Sequence, residues 1–146
     1  MQNFEPFDTD LVMERLKAEV PEFRLVEGAA EYASISQLRD FQPPCAYVLL
    51  ANESGGNGGA RGARAAGASA EFGVVLAVRN YREQRGAQLR GELRTLLGKV
   101  RAALIGWVPP SPGATACAWR GGAVMDYDNA TLLWVEAYES AHVLMR

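Results

Sequence analysis

The chain has 146 residues, 49% of them hydrophobic, with 15 Lys/Arg against 17 Asp/Glu. That suffices for one compact domain with its own core, without disulfides or a metal to staple it. A net charge of -2 carries no general nucleic-acid or membrane signature, and no apolar run is long enough to span a bilayer.

Helical spacing of Val12, Leu16 and Val20 predicts a first helix over residues 9–20. Asp8 suits its N-cap, Phe7 can staple onto Val12, and Pro21 ends it. Residues 23–26 read as a short strand. Gly28 breaks that strand, and 29–38 reads as a second, shorter helix before Pro43-Pro44 punctuates the chain. Residues 45–51 and 71–80 are continuous apolar runs, the pattern of central strands covered on both faces. Between them, every residue of 54–70 is Gly, Ala or Ser except Asn57, Arg61 and Arg64. Such a composition cannot anchor itself in a core, and it reads as the flexible tip of a long hairpin, not a domain boundary.

The longest helix is predicted over 82–105, with Leu89, Leu93, Leu97, Val100 and Leu104 on one face and Leu96 and Ala103 widening it. Arg90, Arg94, Lys99 and Arg101 are placed on the other face. At 1.5 Å per residue it is ~35 Å long, enough to cross a small sheet. Gly86, Gly91 and Gly98 each weaken it by roughly 1 kcal/mol relative to Ala. Gly106 suits the position just past its end, and Pro109-Pro110 forbids continuation. The remainder reads as antiparallel strand: 114–120 and 123–127 on either side of Gly121-Gly122, a turn at Asp128-Asn129, and a long, bent or bulged strand over 131–145. The sum is a single α+β domain over residues 1–146: a mostly antiparallel sheet with one long and one or two shorter helices packed on one face.

Chemistry is sparse. Cys45 and Cys117 show no metal-ligand spacing and read as small core residues in a reducing compartment. The N-terminus lacks the pattern of a signal peptide, so the chain reads as made and kept in a cytoplasm. The lone histidine, His142, sits near Glu139 and Ser140, but strand alternation turns Glu139 and His142 to opposite faces. The glycine-rich stretch has no Lys followed by Ser or Thr and leads into a strand, so it is no phosphate loop. Asp126 and Asp128 fit a cation or, more simply, a turn. No catalytic, cofactor or metal residues are assigned. Arg61 and Arg64 are the candidate contacts to a partner or to a lumen. Trp107, Trp119 and Trp134 fit either a core or an interface.

Charge is uneven along the chain. Residues 1–53 hold four Lys/Arg against ten Asp/Glu, residues 54–101 nine against three, and residues 102–146 two against four. Folding either mixes these into a mosaic surface or leaves two opposite faces suited to head-to-tail docking in a ring.

Several blocks, in order, resemble the tail terminator family of long-tailed bacteriophages. They are Val20-Pro-Glu-Phe-Arg-Leu-Val-Glu-Gly-Ala-Ala30, Pro44-Cys-Ala-Tyr-Val-Leu-Leu50 and Phe72-Gly-Val-Val-Leu-Ala-Val-Arg-Asn80. Leu93-Arg-Thr-Leu-Leu-Gly-Lys-Val-Arg-Ala-Ala-Leu-Ile-Gly-Trp107 follows, with Pro109-Pro110 after it. Gly121-Gly-Ala-Val-Met-Asp-Tyr127, Leu133-Trp-Val-Glu-Ala-Tyr138 and Arg146 complete the set. The resemblance implies a non-enzymatic structural protein of the virion, assembled in the host cytoplasm, at the head-proximal end of the tail. It implies a ring, usually of six copies, that caps the tail tube protein, stops polymerisation and presents a surface to head-completion or connector proteins. Genomic DNA would only pass through the lumen, and neither cofactor nor membrane is implied. Another head–tail joining ring protein is the nearest alternative, and a small enzyme or ligand-binding domain the alternative of a different class.

Overall fold

The computed structural model describes residues 4–55, 65–79 and 86–145. The expected tip with Arg61 and Arg64, residues 82–85 at the expected start of the long helix, and Arg146 lie outside them. The elements run α1 (Thr9–Glu19), β1 (Leu25–Glu27), α2 (Ala29–Ala33), a 3-10 turn (Leu38–Asp40), β2 (Cys45–Gly55), β3 (Ala65–Arg79), α3 (Gly86–Leu104), β4 (Ala118–Tyr127) and β5 (Thr131–Met145). The five strands form one sheet in the order β1-β2-β3-β5-β4. Among the described strands only β1 pairs in parallel, so the α+β architecture with a mostly antiparallel sheet is the one the sequence predicts.

The local signals explain most boundaries. Asp8 caps α1, its carboxylate accepting from the Asp10 amide at 3.0 Å. Ser34 ends α2 earlier than expected: its hydroxyl donates to the Glu31 carbonyl at 2.7 Å, and the chain re-forms only as the 3-10 turn. Gly106 stands at φ 82 just past α3, a conformation that favours glycine. Its amide donates to the Cys117 carbonyl at 2.9 Å, and the Trp107 carbonyl accepts from the Cys117 amide at 2.8 Å. The helix end is thereby tied to the segment that leads into β4.

Two further expectations change. First, strand reaches into the stretch read as loop: Gly55 pairs with Ala68, and Ala65 with Met145. Small residues are tolerated there because β3 is hydrogen-bonded on both sides. Second, Gly121-Gly122 is no break between strands. One strand runs through it, starting at Ala118 and not at 114, and the irregularities expected in β5 lie in β4, at Trp119/Gly121 and Val124/Asp126. Ten residues of β4 oppose eight of β5, so the extra residues bulge on the edge strand, where a distorted ladder disturbs least.

Strand alternation divides the core in two. Ala46, Val48, Phe72, Val74, Leu76, Val78 and Tyr138 meet Val12 and Leu16 of α1 and Leu96, Leu97, Val100 and Leu104 of α3. Cys45, Tyr47, Val75, Ala77 and Leu133 face the other way, against Tyr32, Ile35, Leu38 and Phe41. The long helix and α1 thus share one face, and the expected second helix covers part of the opposite one. On the first face Arg15 donates to the Ala103 carbonyl at 3.0 Å and lies over the Trp107 ring at 5.5 Å. A cation on a last-turn carbonyl of α3 is favoured by the helix dipole. Lys99 and Glu22 form an ion pair nearby.

Candidate functional site

The densest polar arrangement lies between α3, β4 and β5, around Glu136. Trp134, Glu136 and Tyr138 alternate onto the face that α3 covers, which puts a carboxylate fully out of solvent. It is held by four side chains. Arg101 donates through Nη2 to Oε1 at 2.7 Å and through Nε to Oε2 at 3.1 Å. The indole nitrogens of Trp134 and Trp119 donate to Oε1 and Oε2 at 2.8 and 2.7 Å, and the Tyr138 hydroxyl to Oε2 at 3.2 Å. Arg101 also lies 4.9 Å over the Trp119 ring.

Burial pushes the Glu136 carboxyl up, but the donors from Arg101, Trp134 and Trp119 outweigh it and hold the group below its ordinary value. Burial beside this carboxylate raises the Tyr138 phenol. Among the described residues no buried side-chain polar atom lacks a partner. With every lone pair engaged, Glu136 is a clamp between a helix and two strands, unsuited to moving protons. Sequence reasoning missed it. Arg101, expected on the solvent face of the long helix, turns to Glu136 instead. The available signal was parity: a Glu between Trp134 and Tyr138 on one strand shares their buried side.

His142 is buried on the same face, farther along β5. Glu139 and Ser69, bonded at 2.8 Å, involve the opposite face, so the expected separation of His142 from Glu139 holds. The fold supplies another carboxylate. Glu53 Oε1 lies 3.1 Å from His142 Nε2, while Glu53 Oε2 accepts from the Phe7 amide at 2.9 Å. The Phe7 ring stacks on Phe72 and meets His142 edge-on. The pair anchors the N-terminal segment across the base of the β2–β3 arm. Beside it an apolar groove of about 480 Å³ is lined by Phe4, Pro6, Leu50, Gly67, Ala68 and Leu144.

The other sequence candidates do not gather. Asp128 Oδ1 accepts from the Ala130 and Thr131 amides at 2.7 and 2.8 Å, which lowers its carboxyl and makes it a turn residue. Asp126 accepts from the adjacent Tyr127 amide. No group of three or more His, Cys, Asp or Glu suited to a metal occurs among the described residues. Cys45 and Cys117 are buried free thiols, and burial pushes Cys117 up to about 11. Trp107 packs against the core and Trp134 is half-buried, whereas Trp119 is 45% exposed on β4. No helix among the described residues is long and apolar enough to cross a membrane.

β4 itself is the most open element. It forms one edge of the sheet and is exposed along nearly its whole length. Trp119, Val124, Met125 and Tyr127 present large apolar side chains there. A long hydrophobic edge is a surface for another chain. Among known proteins, the family model described as phage tail terminator protein matches residues 2–146. No curated protein matches the chain.

Proposed function

This chain belongs to the phage tail terminator family, and from that premise we propose that it closes into a ring of six copies on the last ring of the tail tube. As a phage tail structural protein it is a component of the virion. The ring stops tube polymerisation because one of its faces meets the tube and the other does not repeat that interface. The second face receives head-completion or connector proteins, and DNA only passes through the lumen. Assembly occurs in the host cytoplasm, and the ring sits at the head-proximal end. The protein performs no catalysis; its buried polar side chains serve to hold the fold together.

The carrying observation is the match of the family over nearly the whole chain. Exposed β4 supports it, since a subunit that works by contact needs surface that its own fold leaves uncovered. The test is electron microscopy of phage tails assembled without this protein. Overlong tubes, or tubes unjoined to heads, are expected; tails of normal length joined to heads would refute the reading. Finding the protein elsewhere in the neck of a reconstructed virion would favour the alternative of a different joining ring.

Arg61 and Arg64 belong to the same proposal as contacts to the tube, the connector or the lumen. Both are read as belonging to the same single domain. Replacing both arginines by Ala is expected to lower virion yield while leaving the thermal midpoint of the isolated protein unchanged. Full yield would make them passive.

A further inference from the structure

Natural edge strands are commonly blunted by Pro, by Lys, by bulges, or by being very short. β4 is ten residues long and contains neither Pro nor Lys. Its two bulges, at Arg120 and Met125, still leave a regular stretch over 121–124. The order of side chains about Ala123 is the informative feature. Reading outward, Gly122 mirrors Val124, Gly121 mirrors Met125, Arg120 mirrors Asp126 and Trp119 mirrors Tyr127. Small mirrors large, positive mirrors negative, and aromatic mirrors aromatic.

We propose that β4 pairs with β4 of a second copy of this chain, antiparallel about a two-fold axis at Ala123, giving a continuous ten-stranded sheet in the free protein. Directly opposed residues of such a pair share a face, and a two-fold axis normal to the sheet keeps each face on its own side. Trp119 and Tyr127 lie opposite Tyr138 and Leu132, on the face covered by α3. Asp126 lies opposite Leu133 on the other face. Arg120 pairs there with Glu139, which alternation along β5 places on the side of Leu133. The pairing therefore brings Arg120 onto Asp126 of the second copy on one face and Trp119 onto Tyr127 on the other, each twice. No neighbouring register does this. An axis at Gly122 sets Arg120 against Val124 and Asp126 against Ala118. An axis at Val124 sets Asp126 against Gly122 and carries Arg120 beyond the strand end. Cross-strand charge and aromatic pairs of this kind select a register.

The occupant is a second copy because the complementarity is internal to one strand. Such an isologous contact closes at two copies and builds no ring. It is a state of the free protein that covers the edge before assembly, and its failure leaves the ring reading standing. A pairing along one strand edge is expected to bury less than the ~800 Å² per partner of a standard interface, with dissociation around the micromolar range.

Sedimentation velocity of the full chain, over about two decades of concentration around that range, tests the pairing. The wild type should shift from one copy to two. R120D and D126R each set like charges face to face twice and should each weaken the dimer about tenfold or more. Mixing the two variants should restore it, because the mixed pair again opposes Asp to Arg at both places. Val124→Lys, on the exposed edge, should also lower the dimer mass. Glu139→Gln removes the charge of the own-chain partner of Arg120, keeps an acceptor for Ser69, and should leave the dimer intact. A wild type that stays single throughout, a six-copy mass indifferent to these charges, or a mixture that fails to recover would each overturn the proposal.

Discussion

Replacing Glu136 by Ala removes the acceptor of Arg101, Trp119, Trp134 and Tyr138 in one step. Breaking a buried ion pair costs about 3–5 kcal/mol. The low end, about 3 kcal/mol, is expected here because the Arg101 side chain is 35% exposed and recovers hydration. Urea unfolding of E136A against the wild type measures it, and a loss below about 1 kcal/mol would show that the clamp is dispensable. The pH dependence follows from the lowered carboxyl. Its stabilisation is complete above the ordinary value of 4.5 and is lost as pH falls below that, through the folded value. Wild-type stability should therefore decline more steeply below pH 4.5 than that of Glu136→Gln. Gly122 has a related constraint. A Cβ there would lie 2.5 Å from Glu136 Oε1 and 2.8 Å from the Trp134 ring. Gly122→Ala should cost about 1–3 kcal/mol through forced displacement of the clamp, read as a lowered thermal midpoint. For the thiols, raised by burial, the expected outcome is resistance to a thiol reagent at neutral pH until the chain unfolds. Prompt reaction in the native state would place them in a breathing region.

At the scale of elements, the sequence was most readable where one signal acts alone. Apolar spacing located α1 and α3, Asp8 located a cap, and the two apolar runs located the centres of β2 and β3. It was least readable where tertiary pairing decides. Residues 65–70 carry no strand signal of their own, being Ala, Gly and Ser, and become strand because β2 and β5 flank them. Gly121-Gly122 looks like a turn, but it is held extended by β5 and flanked by a bulge. Glu136 and Arg101 were invisible as a pair because they are 35 residues apart and each alone suits a solvated face. These boundaries also define how the arm can be shortened. Because Gly55 pairs with Ala68, a shortened hairpin should replace 56–67 by an Asn-Gly turn, which then joins cross-strand partners with a twist that suits a hairpin. The isolated protein should keep its thermal midpoint. A large drop would mean that the removed segment contributes to the core.

At the scale of the whole molecule, the sheet is covered unequally. One face carries two helices and the larger cluster, and the opposite face carries α2, the 3-10 turn and a smaller aromatic group in which Tyr32, Phe41 and Tyr47 meet at centroid distances of 5.6 to 6.2 Å. Cover on that second face stops short of β4, and on the first face Leu50 is exposed on the outer half of β2. The uncovered surface of the molecule thus lies at both margins of one sheet. Surfaces on opposite margins suit head-to-tail contact between copies, the geometry a closed ring requires.

β5 follows every other strand in chain order, yet it lies between β3 and β4. Until it arrives, β3 has an open side and β4 has no ladder at all. The β2–β3 hairpin is local, whereas closure by β5 must reach back across α3, so the hairpin should form early and the rest of the sheet late. Pulse-labelled hydrogen exchange during refolding should protect the amides of 46–50 and 72–77 before those of 118–127. Protection of both sets in one step would mean that closure itself is the first event. A chain that must wait for its last interior strand spends its youngest moments with its stickiest edges bare, and haste in synthesis is then a hazard for this small protein.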